Sequence, residues 1–214
     1  MRLVRPTLAL AAAASLFAGV SARALTRPKP VCNLITDDAG DAGVITAQDG
    51  MDLLSADIAT DKKSVTAVIR LKAAPVNPNP QAPGGTYYYF EFTAPGSDNV
   101  QYLAAEFLTG SATTYTTGQQ VKLATGNANS TDDANSGATG HVDGSVITIS
   151  APIEDFARVT MKPGTKLTSL KAEVFALVGF KAMGRGGGSL QQADTAAGTK
   201  GYTAAALSCV KPGS

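Results

Sequence analysis

An acidic run, Asp37-Asp38-Ala39-Gly40-Asp41, carries the strongest chemical signal in this sequence. Three carboxylates within five residues repel one another unless a cation offsets their charge, and Ca²⁺ prefers such oxygen ligands. Gly40 permits the tight backbone turn that brings Asp41 back towards Asp37. The run therefore predicts a calcium site formed by Asp37, Asp38 and Asp41.

The same run also has a structural interpretation. Its spacing does not follow the EF-hand loop, in which acidic or amide residues alternate ahead of a glycine. Two further aspartates, Asp49 and Asp52, follow closely. The alternative to a metal site is a solvated turn in which aspartate side chains bond to backbone amides.

A second group of candidate residues combines tyrosines with glutamates. Tyr87, Tyr89 and Glu91 would share one face of a strand, and Tyr102 and Glu106 would lie opposite them if the two strands form a hairpin. Carboxylates flanked by tyrosines can bind a sugar through ring stacking, or act as an acid–base pair. This pattern predicts a ligand-binding surface. The alternative is a strand face that is covered by a loop, because tyrosine is a favoured strand residue.

Motifs for catalysis are weak in this chain. His141 is the only histidine, and no G-x-S-x-G segment is present to form a nucleophile elbow. The glycines around 184–188 form neither a phosphate-binding loop nor a dinucleotide fingerprint. We therefore predict no catalytic residues and expect a protein that is not an enzyme.

The elements that must position these side chains show a period of two. Val65 to Leu71, Tyr88 to Phe92 and Leu170 to Val178 alternate apolar with mostly polar residues, as half-buried strands do. Such strands without helical crossovers predict an all-β fold, an antiparallel two-sheet β-sandwich that is jelly-roll-like. One short helical turn is expected within Pro152 to Val159.

Two weaker strands and three loops complete this prediction. The weaker strand candidates are Leu53 to Thr60 and Tyr202 to Val210. Proline in Ala74 to Gly85, and small polar residues in Gly126 to Gly140 and Gly184 to Gly201, predict long loops.

Residues 1–24 resemble a secretory signal peptide. Arg2 and Arg5 precede an apolar run from Leu8 to Val20, and Ala22-Arg23-Ala24 provides a cleavage site. We therefore expect an extracellular protein that leaves the membrane after cleavage. Its remaining parts are an extended leader (25–31), a single β-sandwich domain (32–210) and a polar tail (211–214).

The two cysteines, Cys32 and Cys209, lie near the ends of the exported chain. An even number of cysteines in an exported protein favours a disulfide, and a functional thiol is the alternative. Removal of the signal peptide also takes away three arginines and leaves a slight acidic excess. Because no basic cluster remains, we expect neither nucleic acid nor an anionic membrane as a partner.

A family resemblance is carried by D-D-A-G-D, by D-L-L-S-A-D-I-A-T-D-K-K-S-V-T-A-V-I-R-L and by A-D-T-A-A-G-T-K-G-Y. These segments resemble secreted bacterial β-sandwich domains of the DOMON-like or family 9-like carbohydrate-binding type. The match is clear over residues 32–72 and thinner over 86–108 and 165–180. The resemblance implies a jelly-roll-like ligand-binding or accessory module, sometimes with bound calcium, in which Asp37, Asp38 and Asp41 match the acidic motif.

Together these patterns predict a secreted, non-catalytic binding or accessory module stabilised by calcium. Its ligand would be extracellular, a polysaccharide or a protein. Two alternatives stay open, namely a structural or cell-surface interaction protein without a small ligand, and a secreted hydrolase.

Overall fold

The computed structural model describes residues 29–43, 48–122, 128–133, 136–178 and 189–213. The predicted signal peptide and the first part of the leader lie outside these residues. The described part of the chain contains no helix that is both long and apolar enough to cross a bilayer.

The described chain is all-β, with twelve strands and two single 3-10 turns. The 3-10 turns are Asp49–Met51 and Ile153–Phe156, the second of which lies within the predicted helical turn. The strands are β1 (Ile35–Thr36), β2 (Leu53–Thr60), β3 (Ser64–Leu71), β4 (Gly85–Thr93), β5 (Val100–Leu108), β6 (Thr114–Lys122), β7 (Ala128–Asp132), β8 (Thr139–Asp143), β9 (Val146–Pro152), β10 (Lys166–Val178), β11 (Ser189–Ala197) and β12 (Tyr202–Thr203).

Two antiparallel sheets pack face to face, which confirms the predicted β-sandwich. The smaller sheet has the order β1-β2-β3-β9-β8, and the larger has the order β11-β10-β4-β5-β6-β7, with β12 paired to β10. Most neighbours are consecutive hairpin partners. The exceptions are β3 with β9, β4 with β10, and β10 with β12. The first two join distant parts of the sequence within each sheet.

The core lies between the sheets and follows the predicted alternation. On β4, Tyr88, Phe90 and Phe92 point inwards and are almost fully buried, while Tyr87 and Tyr89 point outwards. The inward rows of the other long strands belong to the same core. On the smaller sheet, outward residues such as Ala59 and Val68 are buried against Val210 of the C-terminal segment. On β4 of the larger sheet, the outward residues Tyr87 and Tyr89 are only half-buried.

Two segments that the sequence predicts to be loops contain strands. Gly126 to Gly140 includes β7 and the start of β8, and Gly184 to Gly201 includes β11. In both segments backbone pairing with a long neighbouring strand compensates for the poor strand propensity of the residues. In contrast, only Tyr202 and Thr203 of the weaker candidate Tyr202 to Val210 form a strand.

The predicted disulfide is present between Cys32 and Cys209, whose Cα atoms are 5.4 Å apart and whose sequence separation is 177 residues. Backbone bonds beside it reinforce the link. The Val31 amide donates to Leu207 O at 2.7 Å, and the Cys209 amide donates to Val31 O at 3.2 Å. The two ends of the domain are therefore fastened together at one place.

Candidate functional site

Two regions of the sandwich bring candidate functional residues together. We call the first, formed by Asp37, Asp41, Asp52 and Asp194, the acidic junction, because it lies where the smaller sheet meets β11. One carboxylate oxygen from each of Asp37, Asp41 and Asp194 lies within 4.8 Å of the others. Oxygens that share one Ca²⁺ at 2.3–2.6 Å are at most about 5 Å apart, so this spacing suits such an ion.

The backbone brings the members of the acidic junction together from three segments. Asp37 follows β1 directly, and Gly40 adopts a φ of +92° that turns the chain back before Asp41. The register between β10 and β11 shifts at Ala193, so that Ala193 and Asp194 are both buried. A bulge of this kind re-aims a side chain, and here it directs Asp194 inwards.

Hydrogen bonds fix two of these carboxylates but leave some oxygens without partners. Asp194 accepts bonds from the backbone amides of Leu53 and Thr195, both at 2.7 Å. Asp52, only 2 % exposed, accepts a bond from the Gly40 amide at 2.7 Å through Oδ2. Within the described residues, the buried atoms Asp52 Oδ1 and Asp37 Oδ2 have no hydrogen-bond partner. An unpartnered buried oxygen is costly unless a ligand satisfies it.

Burial and the negative charges of the acidic junction raise the pKa values of two of its own members. Burial, followed by the charges of Asp194 and Asp41, raises the pKa of Asp37 from 3.8 to about 6. Burial also raises the pKa of Asp194, to which the charges of Asp41 and Asp52 contribute. Lys72 is the nearest cation among the described residues, and its Nζ lies 2.9 Å from Asp49 Oδ1 and 3.3 Å from Asp52 Oδ2.

The structure brings together two of the three residues predicted to bind calcium. Asp37 and Asp41 are brought together, but Asp38 is exposed and is not part of the group. Asp194 occupies the third place instead, about 150 residues further along the chain. Sequence reasoning missed Asp194 because its segment looked like a loop. The motif A-D-T-A-A-G-T-K-G-Y, which contains it, was the only available signal.

The second cluster lies on the outer face of the larger sheet. The predicted hairpin forms, so that Tyr87 lies opposite Glu106 and Glu91 lies opposite Tyr102. The ring of Tyr89 is perpendicular to those of Tyr102 and Phe175, with centroid distances of 5.3 and 5.9 Å, and is nearly parallel to that of Tyr87 at 6.2 Å. We call this surface the tyrosine face; its residues are Tyr87, Tyr89, Tyr102, Glu106, Asp132 and Phe175.

Beside the tyrosine face, Glu91 and Glu173 form a pair of carboxylates in contact, which we call the glutamate pair. Both are almost fully buried. Lys171 Nζ lies 2.6 Å from Glu173 Oε1 and 4.0 Å from Glu91 Oε2. The amides of Gln192 and Gln120 donate to Glu173 and Glu91, respectively. Burial, followed by the charge of Glu173, raises the pKa of Glu91.

The single histidine, His141, lies apart from these clusters. His141 is exposed on β8, in the smaller sheet, whereas Glu91 lies on the outer face of the larger one. The two residues therefore lie in different layers of the sandwich and do not form a common site. Sequence reasoning missed three further residues of these clusters, namely Asp132, Glu173 and Phe175. They reach the tyrosine face or the glutamate pair only because β7 and β10 pair with the strands of the larger sheet.

Comparison of the chain with family models, with curated proteins and with solved structures finds no significant match.

Proposed function

We propose that this protein is an exported, non-catalytic binding or accessory module, in which the tyrosine face holds the ligand and the acidic junction holds Ca²⁺. The observation that carries the proposal is the row of aromatic rings on the outward side of the larger sheet. Tyr87, Tyr89 and Phe175 remain half-buried there, on the opposite side of the sheet from the core. Aromatic rings at a partly exposed surface bind apolar faces of ligands while their hydroxyls bond to polar groups.

A structural rather than a catalytic role for the glutamate pair is supported by the burial of its two carboxylates. Glu91 is 3 % and Glu173 is 4 % exposed, and Lys171 and two amides occupy their oxygens. A general acid or base must come within hydrogen-bond reach of its substrate. The geometry of the glutamate pair favours a structural role over proton transfer to a ligand.

Export is supported by the disulfide, because such bonds persist in oxidising compartments and are rare in the cytosol. The apolar N-terminal segment that suggests a signal peptide lies outside the described residues. Mass measurement of the protein recovered from the culture medium tests this part. Recovery of the uncleaved chain from the cytosol would contradict it.

Calcium at the acidic junction is supported by three close carboxylates and by two buried oxygens without partners. All of these ligand atoms are oxygens, which suits a hard cation better than zinc or copper. The buried carboxylate of Asp52 adds a further negative charge that acts on Asp194.

A calcium titration followed by thermal unfolding tests the metal site. Calcium at about 100 times its Kd stabilises a folded protein by about 2.7 kcal/mol, which raises the Tm of a domain of this size by roughly 5–10 °C. Asp194→Asn should abolish the response, whereas Asp38→Asn, which changes an exposed carboxylate of the same run, should preserve it. An unshifted Tm at millimolar calcium, or equal responses of the two variants, would contradict the assignment.

The ligand surface is tested by screening the purified protein against an array of extracellular polysaccharides and proteins. Binding should weaken when Tyr87→Ala removes a half-buried ring, and should persist in the control Asp143→Asn, which lies on β8 in the smaller sheet. A ligand that binds Tyr87→Ala as tightly as the original protein would place the binding surface elsewhere.

A further inference from the structure

Two carboxylates border the rings of the tyrosine face. Glu106 lies opposite Tyr87 across the β4–β5 ladder and accepts a hydrogen bond from Thr114 Oγ1 at 3.2 Å. Asp132, at the end of β7, accepts a hydrogen bond from the hydroxyl of Tyr102. Neither carboxylate takes part in an ion pair within the described residues. No cation of the described residues therefore pairs with either charge.

These two charges act on each other and on the rings. Burial, with a further contribution from Asp132, raises the pKa of Glu106. Burial, followed by the charges of Glu106 and Asp132, raises the pKa of Tyr87. Burial is the larger cause of both shifts, and the neighbouring negative charges add to it. Lys171, on the neighbouring strand β10, pairs with Glu173 at 2.6 Å and forms no ion pair with Glu106 or Asp132.

The rings add a second attraction for positive charge. The face of a tyrosine ring is electron-rich and attracts a cation within about 6 Å of its centroid. Tyr87 and Tyr89 present two nearly parallel, half-buried rings, and Glu106 stands beside them. We infer that the tyrosine face binds an organic cation, an ammonium group carried on apolar carbon, at Tyr87, Tyr89 and Glu106. This inference rests on the proposed binding function and specifies its ligand class.

Other ligands fit this surface less well. A hard metal ion such as Ca²⁺ needs six to eight oxygen ligands. Among the described residues, the group of three carboxylates close enough to share an ion is Asp37, Asp41 and Asp194. A neutral sugar could stack on the rings, but it would leave the repulsion between Glu106 and Asp132 in place. An ammonium group satisfies both the rings and the carboxylates.

Calorimetric titration with choline chloride tests this inference. The control ligand is 3,3-dimethyl-1-butanol, in which carbon replaces the charged nitrogen at almost unchanged shape. We expect choline to bind at least about tenfold more tightly than this analogue, since the charge interactions need supply only about 1.4 kcal/mol. Glu106→Gln should weaken choline binding about fivefold to tenfold. Asp98→Asn, an exposed carboxylate in the turn of the same hairpin, should leave it unchanged.

Equal affinities for choline and its neutral analogue would overturn the inference. Binding of cellohexaose without binding of choline would also overturn it, while leaving the proposed binding function intact. Binding of none of these probes, nor of any ligand on the array, would overturn both. Should Glu106→Gln fail to fold, the unaltered protein provides a second measurement. Its choline affinity should fall several-fold when NaCl is raised from about 15 to about 150 mM, and an unchanged affinity would contradict the inference.

Discussion

The acidic junction and the glutamate pair are both groups of close carboxylates, but the protein treats them differently. At the glutamate pair, Lys171 and two glutamine amides lie within bonding distance of the oxygens. At the acidic junction, Lys72 reaches only Asp52, and buried oxygens of Asp37 and Asp52 stay unpartnered within the described residues.

The origin of this difference is the way each cluster is assembled. The glutamate pair and its partners lie on paired strands of one sheet, where Lys171 stands directly opposite Glu91. The acidic junction combines a turn after β1 with a bulge in β11. Its one ion pair within the described residues joins Lys72 to Asp52 and leaves Asp37, Asp41 and Asp194 without a cation. Repulsion within the sheet is therefore compensated internally. Repulsion among Asp37, Asp41 and Asp194 has no such compensation within the described residues.

The largest expected effect is the loss of stability when the lysine of the glutamate pair is replaced. Lys171→Met should destabilise the protein by about 2 kcal/mol near pH 7, because it leaves two buried carboxylates without a cation. This loss of stability is smaller than is usual for a fully buried ion pair, because Lys171 is partly exposed. Urea unfolding measures this loss. Lys72→Met, the matched change at the acidic junction, should have a smaller effect. Equal losses would show that the two clusters depend on their lysines alike.

The next largest effect is the change in stability caused by Asp37→Asn, which should have opposite signs without and with calcium. Without calcium, Asp37→Asn should stabilise the protein by about 1 kcal/mol, because it removes a half-buried charge that faces other carboxylates. With saturating calcium, the same substitution should destabilise it, because a ligand of the ion is lost. Thermal unfolding with chelator and then with calcium measures both values. A substitution that destabilises under both conditions would indicate that Asp37 has only a structural role.

The smallest effect is a pH dependence of stability. The pKa of Asp37 in the folded protein, about 6, lies above the ordinary value of 3.8, so its protonated form is favoured by folding. Its contribution to stability is therefore fully present below about pH 4, is lost as the pH rises to about 6, and stays lost above that. Calcium should suppress this loss of Tm between pH 4 and 6. Asp37→Asn should reduce the loss even with chelator present, and an unchanged profile would exclude Asp37 as its source.

The sequence predicted the strands that carry the core much better than the strands at the edges. Inward rows such as Tyr88, Phe90 and Phe92 reveal themselves through strict alternation, because burial of one face requires it. Strands β7 and β11 lack this signal, since they are short of large apolar residues and owe their conformation to pairing with β6 and β10.

The candidate sites divide in the same way. Tyr87, Tyr89, Glu91, Tyr102 and Glu106 were placed on one face because a two-strand hairpin fixes their relation locally. In contrast, Asp194 joins Asp37 through a contact across most of the chain and through a bulge that shifts its side chain inwards. Neither the bulge nor the long-range contact has a signature in residue spacing. Local periodicity therefore predicted the hairpin residues of the tyrosine face, but not Asp132 and Phe175, and only part of the acidic junction.

Because the two ends of the domain lie side by side, they could be joined in a circular permutant. Cys32 and Cys209 lie 5.4 Å apart at Cα, a gap that a peptide linker of a few residues would span. A circular permutant could join these ends and open instead at Gly144, in the exposed turn between β8 and β9. In such a permutant the covalent linker would replace the cystine, and the sandwich would assemble in a reducing cytoplasm.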